Sequence, residues 1–271
     1  GNYWVQEILY HIHKVMYKVL KNLPTDGTYD QAKAADAVML NSKGKAVWSF
    51  DLTAATDRIP LYVQKQIMEF LHPELGRLWG LIMDNFPYYH STKSTPVTYE
   101  VGQGMGLYSS WSNLAFFNHF IIQFSNSFSS KYYTTKYRVL GDDVAIWSRK
   151  TAETYRKLIS SVLDIPISEQ KSFVPEQKNG YPFIAEFAKR IFCNGKEFTP
   201  VPPEVLDGGI RHFTDLPNLV DFLSKTGILS NRDSVPCQGV VNVLSRKGYS
   251  TLEINSLLLL FHLRSLQGRH L

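Results

Sequence analysis

The stretch YRVLGDDVAIW, residues 137–147, decides the fold that this sequence predicts. Two runs rich in β-branched and aromatic residues flank Gly141 and Asp142, and glycine at the first central position of a two-residue loop is typical of a tight hairpin. Asp142 and Asp143 are therefore expected side by side at a hairpin tip. Adjacent carboxylates repel each other, and a hard cation such as Mg²⁺ is bound through such carboxylates together with substrate phosphates. A solvated acidic turn is the alternative interpretation.

The composition of the chain is that of a globular protein. Its 271 residues are 44% hydrophobic and 20% charged, which suffices for a substantial core in one large domain or two small ones. The net charge of +5 is compatible with a nucleic-acid partner without requiring one. Cys193 and Cys237 lie in no ligand pattern, so neither a disulfide scaffold nor a zinc site is predicted. The apolar stretch at 257–261 is too short to span a bilayer.

Hydrophobic periodicity predicts helices interrupted by short strands. The expected helices cover residues 3–21, 30–40, 61–71, 74–86, 109–128 and 151–163, with mostly helical structure after residue 202. The expected strands cover 46–50, 165–167, 183–187 and 197–201, with a further hairpin over 88–99. The chain starts without methionine inside an amphipathic pattern, and we expect it to be a fragment.

A further aspartate, Asp51, directly follows the predicted strand 46–50 and precedes Asp142 by 91 residues. If the fold brings the two strand ends together, these carboxylates can share a pair of metal ions. Two such ions hold the attacking and leaving oxygens of an in-line phosphoryl displacement. The alternative is that Asp51 caps the turn that follows it, which aspartate does well.

A glycine-rich segment, residues 102–106, precedes the long helix predicted over residues 109–128. Small residues such as Gly104 and Gly106 let backbone N–H groups and a helix N-terminus approach a phosphate; a flexible loop is the alternative. Ser109 and Asn113 are one helical turn apart, so they share a face. A hydroxyl and an amide there can bind a ribose 2′-OH, or they can form an ordinary polar helix side.

Five motifs in order resemble the RNA-dependent RNA polymerases of positive-strand RNA viruses. They are DLTAATD at 51–57, VGQGMGLYSSWSN at 101–113, VLGDDV at 139–144, ISEQKS at 167–172, and AEFAKR at 185–190 with a following GKEFTPV. The stretches LPTDGTYDQ at 23–31 and EFAKR at 186–190 are similar to those of mitoviruses, which are relatives of the leviviral replicases. The resemblance covers roughly residues 1–205.

The resemblance implies an α+β right-hand polymerase palm, an antiparallel sheet packed on helices. Partial fingers would occupy residues 1–45 and an insertion at about 60–99, the palm 46–200, and the start of a thumb 201–271. The implied reaction transfers nucleotidyl groups from ribonucleoside triphosphates onto an RNA 3′ end along an RNA template, with release of pyrophosphate, for viral genome replication. Two Mg²⁺ ions, or Mn²⁺ in their place, would serve it. The implied partners are template RNA, a primer or nascent strand and the triphosphates, with no membrane span. The host mitochondrion is the implied location.

The same resemblance implies roles for individual residues. Asp51 and Asp142 would bind the metals, with Asp143 as an accessory ligand; Asp57 would select ribose with Ser109 and Asn113; Gly104 and Gly106 would lie in the substrate-binding loop; Lys171 would protonate pyrophosphate; and Lys189 and Arg190 would hold the primer strand.

Two departures and two rival functions remain open at this point. The loop reads GQGMG where mitoviruses usually have GQPMG. The basic motif that contacts the triphosphate would precede Gly1, and for this second reason we expect the fragment to be inactive alone. A reverse transcriptase shares the palm, but Asp57 and Asn113 argue against it because those enzymes place a bulky residue near the sugar. A catalytically inactive, RNA-binding viral remnant is the other rival, against which the intact aspartates and Lys171 argue.

Overall fold

The computed structural model describes residues 3–88, 95–175, 184–212, 215, 218–219, 222, 245–246 and 248–255. The chain divides into two compact units, Gly1–Gly195 and Lys196–Leu271. The first unit contains, in chain order, α1 (Tyr3–Lys21), α2 (Gln31–Asn41), β1 (Trp48–Phe50), α3 (Ala55–Arg58), α4 (Leu61–Leu71), α5 (Pro73–Asn85), α6 (Ser110–Ser127), β2 (Tyr137–Leu140), β3 (Asp143–Ile146), α7 (Arg149–Lys157), a π-helical turn (Leu158–Val162), β4 (Ile184–Phe187) and β5 (Arg190–Cys193). The second unit begins with β6 (Lys196–Glu197) and α8 (Pro203–Arg211).

An antiparallel sheet in the order β1-β3-β2 lies at the centre of the first unit. Phe50 is paired with Val144 on one side of β3, and Leu140 is paired with Asp143 on the other. The end of β1 and the β2–β3 turn are therefore at the same edge of the sheet. This register places the residue after Phe50, Asp51, next to the hairpin aspartates.

Helix α6 forms the main support of this sheet and packs against α1, α4 and α7. It is buried on most sides, and its buried residues include polar ones such as Ser112 and Asn118 beside the apolar ones. By contrast, α1 buries a single stripe, formed by Leu9, Ile12, Met16 and Leu20. The spacing of those four residues is the helical repeat from which the sequence predicted α1.

The segment between α1 and α2 extends the sheet beyond β2. Thr25 accepts a hydrogen bond from the Val139 N–H (3.1 Å), and Gly27 donates one to the Val139 carbonyl (2.8 Å). The intervening Asp26 is buried, and its Oδ2 lies 3.0 Å from His119 Nε2 on α6. The other ring nitrogen of His119 lies 3.0 Å from the Tyr137 hydroxyl. A buried polar chain therefore fixes β2 between this segment and α6.

Most predicted elements are confirmed, including the first helix, the helices at 61–71 and 74–86, and the hairpin at 137–147. The strand expected at 165–167 was wrong: only a bridge between Leu52 and Ile167 forms. Pro166 lacks an N–H donor, and its carbonyl accepts from Thr53 at 2.9 Å. The strand expected at 197–201 is the short β6, and β5 was not predicted.

Some predictions fall outside the described residues. Tyr88 and Val97 form a bridge where a hairpin was expected, but residues 89–94 at its tip are not described. Residue 183 and most of the chain after His212 are likewise outside. Among the helices that the structure does describe, none combines the length and the apolar character needed to cross a bilayer.

Candidate active site

Asp51 is held in place by the segment that carries the fourth motif. Its backbone N–H donates to the Ser172 hydroxyl (3.1 Å) and its carbonyl accepts from the Ser168 N–H (2.9 Å). Ser49 and Phe173 exchange two further backbone hydrogen bonds, of 3.0 and 2.9 Å. The segment containing Lys171 therefore runs along the edge of β1 that is not paired with β3, although it does not form a regular strand.

This pairing brings Lys171 to the acidic edge of the sheet. Its Nζ lies 3.5 Å from Asp51 Oδ2, and its side chain is 74% exposed. An ion pair with so much water around it contributes little to stability. Lys171 thus lies beside Asp51 with its ammonium exposed to solvent, and its role as a proton donor stays a prediction.

The hairpin turn requires its glycine. Gly141 has φ = +61°, a left-handed conformation that glycine adopts without strain, and a Cβ there would lie 2.5 Å from the Trp111 ring. The Gly141 carbonyl accepts a hydrogen bond from Asn118 Nδ2 (2.7 Å), and Asn118 in turn accepts from the Tyr155 hydroxyl (2.8 Å). Since Asn118 and Tyr155 are fully buried, the turn that carries Asp142 is tied to the core.

Burial and neighbouring negative charge raise the pKa of three carboxyl groups at this edge, those of Asp142, Asp143 and Glu186. Burial, followed by the charges of Asp142, Asp51 and Glu186, raises the pKa of Asp143 to about 6. The pKa of Asp142 is raised by burial and by Asp51, against hydrogen bonds from backbone N–H groups. That of Glu186 is raised by burial and by Asp51. Negative charge at this edge is thus undercompensated by the protein itself.

A strained turn on the neighbouring hairpin also contacts this cluster. Phe187 is paired with Arg190, which leaves Ala188 and Lys189 as a two-residue loop with φ values of +53° and +60°. Two positive φ values define a turn that normally contains Asn-Gly, and each costs an alanine or lysine about 1 kcal/mol. The Ala188 N–H donates to the Asp143 carboxylate and opposes the rise of its pKa.

The oxygen donors at this edge suit a hard divalent cation. Asp51 is close enough to raise the pKa of Asp142 and that of Asp143, and buried charge of one sign is stabilised by a counter-charge. Among the residues that the structure describes, no three acidic, histidine or cysteine side chains are close enough to hold one ion between them. The carboxylate oxygens are therefore suitable ligands for a divalent cation, but their side chains would have to move closer together to bind one.

A cavity of about 470 Å³ opens beside Asp142. One wall is the turn that follows Asp51, including Ala54 and Thr56, and the opposite wall is the stretch from Met105 to Trp111. His13 from α1 completes the lining. The cavity therefore connects the acidic edge to the glycine-rich loop.

The glycine-rich loop is held from two directions. On one side, the buried Gly104 donates its N–H to the Tyr88 hydroxyl (3.1 Å). Contrary to the expectation from the sequence, this amide is therefore not available to a phosphate. On the other, Gln6 of α1 donates to the Gly106 carbonyl (2.8 Å) and accepts from the Tyr108 N–H (2.9 Å). Gly106, with φ = +81°, is exposed and remains the accessible glycine of the pair.

Replacing Gly102 should test how tightly this loop is packed. A Cβ on Gly102 would lie 2.5 Å from the Asp57 carbonyl oxygen and closer still to that of Thr56, and backbone atoms cannot move aside as a flexible side chain can. We expect Gly102→Ala to lower the free energy of unfolding by about 1–3 kcal/mol, measured by urea denaturation. Gly44→Ala is the matched control, because no atom lies within 4 Å of its Cβ position, although its φ of +64° adds strain of about 1 kcal/mol. Equal losses in both variants would contradict the close packing of Gly102.

The proposed ribose-binding residues are only partly assembled. Asp57 lies on α3 and forms a hydrogen bond with Tyr99. Ser109 lines the cavity, but its hydroxyl accepts from Trp79 Nε1 (2.8 Å). Asn113 is fully buried, does not line the cavity, and both polar atoms of its amide are without a partner in the described part of the chain. Their role in sugar selection stays a prediction.

The residues expected to hold a primer are on the β4–β5 hairpin. Lys189 is exposed at the turn. By contrast, Arg190 Nη2 lies 3.2 Å from Asp36 Oδ1 on α2, and the Arg190 guanidinium lies over the Phe192 ring. Lys189 is therefore available for an RNA phosphate, and Arg190 is engaged within the protein. These roles also stay predictions.

Sequence reasoning missed Glu186, Asn118, Gln6 and the Ala188 turn. Glu186 stands within a motif, but nothing in the sequence shows that β4 lies beside β1; the structure shows it through the hydrogen bond from the Glu186 N–H to the Ser49 hydroxyl (3.0 Å). Asn118 could have been noticed because it and His119 are the two polar residues between the apolar runs 114–117 and 120–122 of α6. For Gln6 and Ala188 there is no such signal.

Comparison with known proteins is consistent with this geometry. The curated RNA-directed RNA polymerase of Cryphonectria parasitica mitovirus 1 is 34% identical over 196 residues, which are 70% of this chain and 23% of that protein. An uncharacterized mitochondrial protein of Arabidopsis thaliana is 31% identical over 195 residues, covering 68% of this chain and 74% of that protein. A second such Arabidopsis protein is 28% identical over 165 residues, 58% of this chain and 79% of that protein.

Among solved structures, apo telomerase from Candida tropicalis, truncated from its C-terminal domain, matches with a TM-score of 0.53 at 10% identity, over 72% of this chain and 45% of that chain. This likeness shows the fold, and the predicted α+β class of a right-hand polymerase is confirmed. The aligned part spans less than a quarter of the mitovirus relative. The family model described as Mitovirus RNA-dependent RNA polymerase matches residues 1–261. The resemblance found in the motifs is thus confirmed, and the chain belongs to the mitovirus RNA-dependent RNA polymerase family.

Proposed function

We propose that this chain carries the nucleotidyl-transfer centre of an RNA-dependent RNA polymerase for viral genome replication. The observation that carries the proposal is the register of the sheet, which places Asp51 after Phe50 and beside Asp142 and Asp143 at one edge. The charge of Asp51 accordingly helps to raise the pKa of Asp142 and that of Asp143. Membership of the family supports the same reaction. The substrates are ribonucleoside triphosphates, an RNA template and the 3′ end of a primer or nascent strand.

In this reaction the protein mainly positions reactants and balances charge. Asp51 and Asp142 would hold two Mg²⁺ ions, or Mn²⁺, with Asp143 as an accessory ligand. When bound, these ions lower the pKa of the attacking 3′-OH and stabilise negative charge at the α-phosphate.

Lys171 supplies a proton at the other end of the reaction. Its ammonium is next to Asp51 and largely exposed, so it can reach a leaving pyrophosphate oxygen and donate to it. General acid catalysis of this kind typically accelerates a reaction about 10²–10⁴-fold.

The cavity beside Asp142 is the site we propose for the incoming nucleotide. Ser109 and Gly106 line it, and Asp57 is on the adjoining helical turn. We propose that Asp57, Ser109 and Asn113 recognise the ribose 2′-OH, which requires the buried Asn113 amide to turn toward the cavity. Gly104 would shape the loop through its bond to Tyr88 and need not contact phosphate.

We further propose that residues 46–200 form the palm, 1–45 and about 60–99 parts of the fingers, and 201–271 the start of the thumb. A division of the chain after Gly195 supports a boundary in that region. Lys189 would hold the primer strand, with Arg190 placing its hairpin. The two Arabidopsis relatives are named as mitochondrial proteins, which supports the host mitochondrion as the location.

The test is nucleotide incorporation on a primed RNA template, with Mg²⁺ present or removed by chelation. It compares the chain, alone and within any longer natural polypeptide that contains it, with its Asp142→Asn variant. We expect Mg²⁺-dependent incorporation of ribonucleotides that the variant loses. Equal incorporation of deoxyribonucleotides would instead support a reverse transcriptase. RNA binding with no incorporation in any form would support an inactive remnant and would refute the catalytic proposal.

A further inference from the structure

Helix α1 has a flank of aromatic rings beside the stripe that it buries. The stripe formed by Leu9, Ile12, Met16 and Leu20 is buried in the core. One flank carries Tyr10, His13 and Tyr17, which are spaced by three and four residues and so share a face. That flank is not needed to pack the core, and its rings lie at the protein surface or are half-buried.

These rings form a continuous series with two tyrosines from neighbouring loops, which we call the aromatic row: Tyr10, His13, Tyr17, Tyr29 and Tyr108. The His13 ring centroid is 4.0 Å from that of Tyr17 and 5.2 Å from that of Tyr108. Tyr10 is 5.2 Å from Tyr108, and Tyr17 is 6.0 Å from Tyr29. Tyr108, which lies between Tyr10 and His13, is 42% exposed, and Tyr29, at one end of the series, is 54% exposed.

Two lysines of α1 lie beside rings of the aromatic row. The Lys14 ammonium lies 4.2 Å from the centroid of the Tyr10 ring, and the Lys21 ammonium lies 5.5 Å from that of Tyr29. Aromatic rings interleaved with lysines are the surface that single-stranded nucleic acids bind, because every base has a face that stacks and every nucleotide carries a phosphate. A surface for a protein partner would favour apolar side chains without flanking lysines at each end.

The aromatic row also leads to the candidate active site. His13 and Tyr108 belong to it, and both line the cavity that Asp142 also lines. Gln6 and His13 hold this end of the row in position: Gln6 bonds the Tyr108 N–H, and His13 Nδ1 accepts from the Ser109 N–H at 3.3 Å. Burial lowers the pKa of His13, in keeping with a neutral ring that accepts this bond.

We infer that the aromatic row is a binding site for single-stranded RNA, on which bases stack against Tyr108 and Tyr29 while Lys14 and Lys21 contact the phosphates. The site guides the strand between the surface of α1 and the cavity beside Asp142. This inference deepens the proposed function and rests on it for the identity of the strand as template. The binding itself can be measured without catalysis.

The experiment measures binding of a fluorescently labelled 12-nucleotide oligouridylate to the 271-residue chain by anisotropy. Tyr108→Leu and Tyr29→Leu remove a ring, and Tyr108→Phe and Tyr29→Phe keep it. We expect each leucine variant to bind about tenfold more weakly, since stacking contributes on the order of 1–3 kcal/mol per base. The phenylalanine variants should stay within about twofold of the wild type. Tyr62→Leu on α4, where Tyr62 is similarly exposed, is the matched control and should bind as the wild type does.

A second measurement addresses the lysines. Binding of single strands weakens with salt in proportion to the phosphate contacts made, by about 0.7 in logarithmic slope for each. The double substitution Lys14→Gln and Lys21→Gln should therefore lower the slope by about 1.4, while circular dichroism confirms that the helix is intact.

Unchanged affinity in both leucine variants would overturn the inference, as would phenylalanine variants that lose as much affinity as the leucine ones. Absence of RNA binding by the wild-type chain would overturn it as well. Asp142→Asn separates the two proposals, because it should abolish incorporation and leave ring-dependent binding intact. Ring-dependent binding without incorporation, both in the chain alone and within the longer natural polypeptide, would refute the catalytic proposal and leave the RNA site standing. Incorporation together with binding that does not depend on the rings would support the catalytic proposal and refute the RNA site on the aromatic row.

Discussion

Asp51→Asn should reduce Mg²⁺-dependent nucleotide incorporation by about 10³-fold or more. Charge stabilisation by bound metal contributes several kcal/mol to such a reaction, and each 1.36 kcal/mol changes the rate tenfold. An amide has the shape of the carboxylate and lacks its charge, so the variant loses a proposed ligand without leaving a cavity. The measurement is single-turnover extension of a primed RNA, in which binding and chemistry can be separated.

The fold should survive this substitution, which is what makes the experiment decisive. The partner of Asp51, Lys171, is largely exposed, so the lost ion pair costs less than about 1 kcal/mol, and removing one carboxylate also relieves repulsion on Asp142 and Asp143. Glu153→Gln, which breaks the exposed ion pair between Arg149 and Glu153, is the matched loss of an acidic residue and should leave incorporation unchanged. Full activity in Asp51→Asn would remove Asp51 from the mechanism.

Asp143→Asn should make the protein more stable at pH 8 by on the order of 2 kcal/mol, and no more stable at pH 3.5. Burial and the charges of Asp142, Asp51 and Glu186 raise the pKa of Asp143 from 3.8 to about 6. A carboxyl with a raised pKa in the folded state contributes stability that is present below its unfolded pKa and is lost as the pH rises through about 6. Asparagine does not ionise, so the gap between variant and wild type opens between about pH 4 and pH 6. Each pKa unit corresponds to about 1.4 kcal/mol, and partial access to water reduces the total.

Urea unfolding at pH 3.5, 5 and 8 measures this effect. Asp84→Asn is the control of opposite sign, because Asp84 forms a 2.6 Å ion pair with Lys65 and its loss should slightly destabilise the protein. Adding Mg²⁺ at pH 8 should raise the melting temperature of the wild type more than that of Asp143→Asn, since a ligand that binds the native state stabilises it. A variant that is no more stable at pH 8 than the wild type would show that Asp143 is not held in a repulsive cluster.

Local patterns were sufficient for the elements that carry the site. The hairpin at 137–147 follows from alternation and from a glycine at a position that needs positive φ, and α1 follows from a helical repeat of apolar residues. Both signals depend only on residues near one another in the chain. The motifs indicated the family and its aspartates for the same reason: their order and spacing can be read from the sequence without knowledge of contacts.

Contacts between distant segments were decided by the tertiary structure alone. No spacing shows that Glu186 and the Ala188 N–H lie beside Asp143, or that Gln6 holds the glycine-rich loop from 100 residues away. The short strand β5 escaped notice since its turn, Ala188-Lys189, lacks the glycine or asparagine that marks such turns, and its positive φ values are imposed by the surrounding packing. The sequence by itself thus determined the family, the main elements and the identity of the acidic residues. Only the tertiary structure decided which groups surround them, because burial and charge act through space.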